Sequence, residues 1–133
     1  MANEERQLHT LMEHVARGGC REARPGLEAL VARNGRNLLA LDMLAHCAAS
    51  TGDVEGAIAT LQRLTSQSPP WPDSYHRLGR LLLSRQRSDA AMEAFAGGLA
   101  VDPGHQGCLA GLIQLLEAAG RSEEAQRYRA LAR

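Results

Sequence analysis

The chain has 133 residues, 44% of them hydrophobic, and fifteen acidic residues balance fifteen basic ones, all arginine, for a formal net charge of zero. That length suffices for one domain with a continuous core, and the absence of a basic excess argues against nucleic acid, because covering a phosphate backbone takes a surplus of Lys and Arg on one face. Cys20, Cys47 and Cys108 are odd in number and form no CxxC pair, so reduced thiols are expected. No run approaches the roughly 18 apolar residues of a membrane span, and MANEERQLHTLMEH has no apolar leader core. The expectation is a soluble, cytoplasmic protein with no membrane partner.

Taken in chain order, the apolar residues recur at helical spacing. Leu8, Leu11, Met12 and Val15 form the first stripe, and "GGCREA" follows at 18–23. Pro25 lies where a second helix should run, which predicts a late start at about Pro25 as a first-turn proline. A shortened turn before Ala23 is expected to account for the first stripe lying one residue out of register with the later ones. Residues 38–71 carry Leu41, Leu44, Ala45 and Ala48, then "GDVEGA", then Ala57, Ile58, Leu61, Leu64 and Pro69. Residues 72–105 carry Tyr75, Leu78, Gly79 and Leu82, then "QRSDAA", then Ala91, Met92, Phe95, Leu99 and Pro103. Residues 106–133 carry Leu109, Leu112, Ile113 and Leu116, then "GRSEEA" at 120–125. Each unit reads as two helices; low β-branched and aromatic content gives strands no foothold.

The boundaries follow from turn and cap chemistry. Asp53, Ser88 and Ser122 are predicted N-caps of the second helices, and Asn37 and Asp73 of the first helices. Gly52 and Gly120 supply the left-handed residue that closes the preceding helix. Ala23, Ala57, Ala91 and Ala125 fall where antiparallel helices approach closely. Within the helix after Ser88, Gly98 is a packing position and Gly97 is expected to face outward.

These residues resemble the tetratricopeptide repeat family, whose 34-residue pattern is W-x2-L-G-x2-Y, A-x3-F and P. Tyr75-x2-Leu78-Gly79-x2-Leu82, Ala91-x3-Phe95 and Pro103 match it best; Leu41-x2-Leu44-Ala45-x2-Ala48, Ala57-x3-Leu61 and Pro69 follow it with aliphatic replacements. The resemblance implies an all-α, right-handed α-solenoid of about four stacked antiparallel helix hairpins. It also implies a single domain over 1–133, made of a degenerate first hairpin (1–37), two full repeats (38–71 and 72–105) and a truncated last one (106–133).

Such repeats hold a segment of a partner protein in a concave groove lined by their first helices. In this register the groove residues are His9, Asp42, Met43, His46, His76, Arg77, Arg80, Gln114 and Glu117, with Trp71 as a candidate anchor in the turn between the middle repeats. His76, Arg77 and Arg80 give the groove a basic centre and imply a peptide of acidic character. The lysine and asparagine clamp of the family's chaperone receptors is not matched: Leu8, Met12, Met43 and Asp73 stand in most of its places and only Arg77 corresponds. No cofactor and no metal is implied, since His9, His46 and His76 come from separate helices without a carboxylate cage. No nucleophile with a positioned base and no phosphate-cradling loop accompanies the acid and base pairs, so the reading is a scaffold and not an enzyme. The alternative is a docking or dimerisation module cut from a larger bacterial transferase or hydroxylase, self-associating through Tyr128 and Leu131.

Overall fold

The structure, a computed structural model, describes residues 2–132 and contains eight helices: α1 (Ala2–Ala16), α2 (Cys20–Arg33), α3 (Leu38–Ser50), α4 (Val54–Thr65), α5 (Pro72–Ser84), α6 (Ser88–Val101), α7 (Gln106–Ala118) and α8 (Ser122–Leu131). No strand occurs among the described residues. The helices pair as four hairpins, and the starts of α2, α4, α6 and α8 are separated by the 34 residues of the sequence pattern, as are those of α3, α5 and α7.

One backbone device makes every hairpin turn. Gly18, Gly52 and Gly120 have φ of +84°, +87° and +76°, and Gln86 takes the same place at +59°. After each, the next amide donates back five residues, as in Asp53 to the Ala48 carbonyl (2.8 Å) and Arg87 to the Leu82 carbonyl (2.9 Å). This closes the helix in a Schellman arrangement whose left-handed residue is most easily glycine. The first hairpin turn, residues 17–19, is as long as the others, so no shortened turn exists there. Its offset lies in the helix instead: α1 turns Leu8 inward, while Leu11, Met12 and Val15 are half-buried.

Two other boundary expectations are corrected. α2 begins at Cys20 and not near Pro25, because the Ala23 amide already donates to the Gly19 carbonyl (2.9 Å). Pro25 therefore sits inside α2, where it removes the helical donor for the Arg21 carbonyl; both residues are exposed, so water can serve that group. Ser88 and Ser122 are not caps. Ala91 and Ala125 donate to the carbonyls of Arg87 and Arg121, which makes those arginines the capping residues and leaves both serines inside the first turn. Asn37 and Asp53 do cap, accepting from the Ala40 and Gly56 amides at 3.1 and 2.9 Å.

The chain divides into two compact units, Met1–Ser68 and Pro69–Arg133. In unit 1, α1 packs on α2, α2 on α3 and α3 on α4, with α1 also beside α3. Its core is aliphatic, built from Leu8, Leu27, Leu30, Leu41, Leu61 and Leu64, with Ala23 and Ala57 at the close approaches. In unit 2, α5 packs on α6, α6 on α7 and α7 on α8, with α5 beside α7. Phe95 is its centre. A Cβ at Gly79 or at Gly111 would stand 2.5 or 2.6 Å from the Phe95 ring, so both neighbouring backbones approach it only because they lack side chains. Burial of such a ring is worth roughly 1.5–3 kcal/mol.

A Cβ at Gly98 would lie equally close to the Cys108 sulfur of α7, with the Tyr75 Cβ and the Pro72 carbonyl further off at 3.2 and 3.4 Å. Gly97 does not face outward: a Cβ there would be 2.7 Å from the Tyr75 ring. The Tyr75 ring lies against Gly97, so helical position alone did not identify the free face.

Candidate partner-binding surface

In unit 2 the expected binding residues fall on α5 and α7, which run beside each other. His76 is half-buried, its ring 6.0 Å from that of Phe95 and 5.5 Å from that of His105. A Cβ at Gly107 would stand 2.6 Å from its Nε2, so the imidazole rests on bare backbone. Burial first, then His105 and Arg80, holds the His76 pKa below its ordinary value. The ring is therefore uncharged at neutral pH and acts as a wall, not as a cation. Arg77 is half-buried and Arg80 exposed, one helical turn apart.

His105 is the N-cap of α7, a role its spacing of 34 from Trp71 and 68 from Asn37 could have revealed. Its Nδ1 accepts from the Cys108 amide at 3.1 Å, which leaves the proton on Nε2 to be donated to Asp73 at 2.7 Å. Asp73 thus does not cap α5; Trp71 precedes Pro72 at that helix's start, in the extended conformation a following proline requires. Trp71 is half-buried. On α7, Gln114 and Glu117 are exposed, and Glu117 pairs with Arg129 of α8.

The expected residues of unit 1 lie on α1 and α3, also neighbours. His9 is exposed and paired with Glu13 at 2.8 Å; Asp42 and Met43 are half-buried and His46 is exposed. Two features of this unit were not anticipated. Arg24 of α2 bridges Asp53 (2.5 Å), Glu28 (2.9 Å) and Thr51 (3.4 Å), fastening α2 to the turn between α3 and α4. Arg24 first, then the Gly56 amide, holds the Asp53 carboxyl below its ordinary value. The second feature is a pair of sulfurs: Cys20 and Cys47, 27 residues apart, meet at 2.6 Å. Neither has a local sequence signal, since the pairing depends on how α2 packs on α3.

Each unit also has an open cleft. In unit 1, about 520 Å³ lies at the α1–α2 turn beside Thr10, Glu13, His14, Arg17 and Glu22. In unit 2, about 450 Å³ lies beside Met92, Leu112, Leu116 and Tyr128, with Arg121 and Glu124 at the edge. Tyr128 is half-buried there, and Leu131 beyond it is 59% exposed. Among the described residues no three His, Cys, Asp or Glu side chains gather as a metal site, and no helix is long and apolar enough to cross a membrane.

Family models described as tetratricopeptide repeat match residues 11–73 and 72–105. Among solved structures, the chain is similar to the crystal structure of MamA at 24% identity and a TM-score of 0.84, covering 98% of this chain and 76% of that one. It is also similar to a tetratricopeptide repeat protein from Parabacteroides merdae ATCC 43184, at 19% identity and a TM-score of 0.78, covering 97% of this chain and 51% of that one. Likeness at this level of identity is one of fold. No curated protein matches the sequence significantly.

Proposed function

Because the chain belongs to the tetratricopeptide repeat family, we propose that it is a protein-interaction scaffold which holds a segment of a partner protein along the first helices of its hairpins. The observation that supports a particular chemistry is α5, where exposed Arg80 and half-buried Arg77 stand one turn apart beside the uncharged His76 ring. A guanidinium takes a carboxylate through two parallel hydrogen bonds in one plane, so the partner segment carries acidic side chains where it crosses α5. Gln114 of α7 offers a neutral neighbour, and the charge of Glu117 is already met by Arg129. In unit 1, Asp42, Met43 and His46 occupy the repeat positions that His76, Arg77 and Arg80 occupy in unit 2, and with His9 they form the corresponding candidate surface of that unit. The balanced net charge favours protein over nucleic acid.

The test is capture of partners from the source cell with wild type and with the Arg77→Glu, Arg80→Glu double variant. Loss of wild-type partners that return at no salt concentration supports the α5 surface. Retention of the same partners at the same salt concentration refutes it.

A second reading rests on Leu131, whose side chain is 59% exposed on α8, near the half-buried Tyr128 that lines the cleft of unit 2. Self-association through α8 would cover both. Light scattering on wild type and on Tyr128→Glu, Leu131→Glu distinguishes the cases; equal monomer masses for both would exclude it.

A further inference from the structure

The Cys20 and Cys47 sulfurs stand 2.6 Å apart between α2 and α3, nearer than the ~3.5–4.0 Å at which non-bonded heavy atoms rest. Both are free thiols. We propose that Cys20 and Cys47 are a redox pair which closes to an intramolecular disulfide when the protein meets a hydroperoxide, and which a small dithiol reopens.

The two sulfurs have different parts. Cys20 is the first residue of α2 and 8% exposed, whereas Cys47 is fully enclosed. The turn residues Gly18 and Gly19, immediately before Cys20, line the open cleft of about 520 Å³, and the residual exposure of Cys20 itself is what a small oxidant would meet. Burial first, and then the contact with Cys20, pushes the Cys47 thiol up to about 12, which keeps Cys47 protonated and unreactive until its neighbour is oxidised. In the first step the Cys20 sulfur attacks one peroxide oxygen; the S–O bond forms, the O–O bond breaks, and the leaving hydroxide takes the thiol proton as water. Cys20 is then a sulfenic acid, and hydrogen peroxide has been reduced by two electrons. In the second step the Cys47 sulfur attacks the Cys20 sulfur; the S–S bond forms, the S–O bond breaks, and hydroxide leaves with the Cys47 proton as a second water. Two thiols and one hydrogen peroxide become one disulfide and two waters.

The consequence is mechanical. Cys20 lies in the first hairpin and Cys47 in the second, so the bond joins two hairpins of unit 1 across 27 residues of chain. Closing such a loop restricts the unfolded chain and raises stability. Cys108 is the internal control: it lies in unit 2, its sulfur contacts the Pro72 carbonyl, and burial pushes its thiol up to about 11. This inference is independent of the partner-binding proposal, since neither sulfur belongs to that surface.

The experiment exposes the full chain to hydrogen peroxide, unfolds it in the presence of iodoacetamide, and weighs it intact. The expected product carries one alkyl group, on Cys108, where the reduced chain carries three; without alkylation it is lighter by two hydrogens, and a proteolytic map shows a Cys20–Cys47 linked peptide. The melting temperature rises by about 5–10 °C and returns on adding dithiothreitol. Cys108→Ala keeps the loss of two hydrogens, and Cys20→Ala and Cys47→Ala each abolish it. The wild-type mass and map decide the question even if a variant fails to fold. Three alkylated thiols after peroxide, oxygen addition without hydrogen loss, or a linkage found only between chains would overturn the proposal.

Discussion

Gln86 occupies the place that glycine holds in the other three hairpin turns, and its φ of +59° is left-handed. An L-residue pays roughly 1–2 kcal/mol for that conformation, against roughly 0.5–1 kcal/mol for the extra chain freedom a glycine loses on folding. Gln86→Gly should therefore stabilise the protein by about 0.5–1 kcal/mol, or about 2–4 °C in melting temperature. The side chain is exposed, so no packing is lost. The reverse change gives a matched control. Gly52 and Gly120 have no atom within 4 Å of where a Cβ would stand, so any cost of Gly52→Ala or Gly120→Ala arises in the backbone and should be about 1 kcal/mol of destabilisation. Thermal melts followed by circular dichroism, with urea titrations to confirm an unchanged m-value, measure all three variants. A Gln86→Gly protein that melts below wild type, or a Gly120→Ala protein that melts with it, would refute the argument that one left-handed residue closes every turn.

Gly97→Ala adds helix propensity worth roughly 0.8–1 kcal/mol but sets a Cβ 2.7 Å from the Tyr75 ring; it should lower the melting temperature in wild type and raise it in a Tyr75→Ala background, a coupling that a double-mutant cycle reads directly. His76 has a lowered folded pKa, so the unfolded chain binds its proton first: the stability it contributes is present above its ordinary value of 6.5 and is lost as pH falls below it. His76→Phe should flatten that limb of a stability-versus-pH curve, and an unchanged slope would show that the ring titrates normally. Asp53 also has a lowered folded pKa, so its contribution is present above its ordinary 3.8 and disappears as pH falls through the folded value. Asp53→Asn and Arg24→Gln should each reduce acid sensitivity below about pH 4, as followed by urea unfolding across that range.

The 34-residue spacing was legible in the sequence because hairpin turns and close helix contacts place strict local demands. A left-handed residue is needed where each turn reverses, and Ala23, Ala57, Ala91 and Ala125, all at 1% exposure or less, are needed where two helices nearly touch. Those demands depend on residues close in the chain, so they leave a periodic mark. The spacing also placed His76, Arg77 and Arg80 together on one helix, because i, i+1 and i+4 need only a helix to become neighbours. It did not reveal that His76 would be an uncharged wall, since the rings of Phe95 and His105 and the bare backbone of Gly107 reach it from other helices. The same limit hid the contact of Asp73 with His105, the obstruction of Gly97 by Tyr75, and the meeting of Cys20 with Cys47. Each depends on the rotation of one helix about its axis relative to a neighbour, which the summed packing of many side chains decides. Turn chemistry and periodicity set where the helices begin and end; only packing between helices determined which side chains their faces bring into contact.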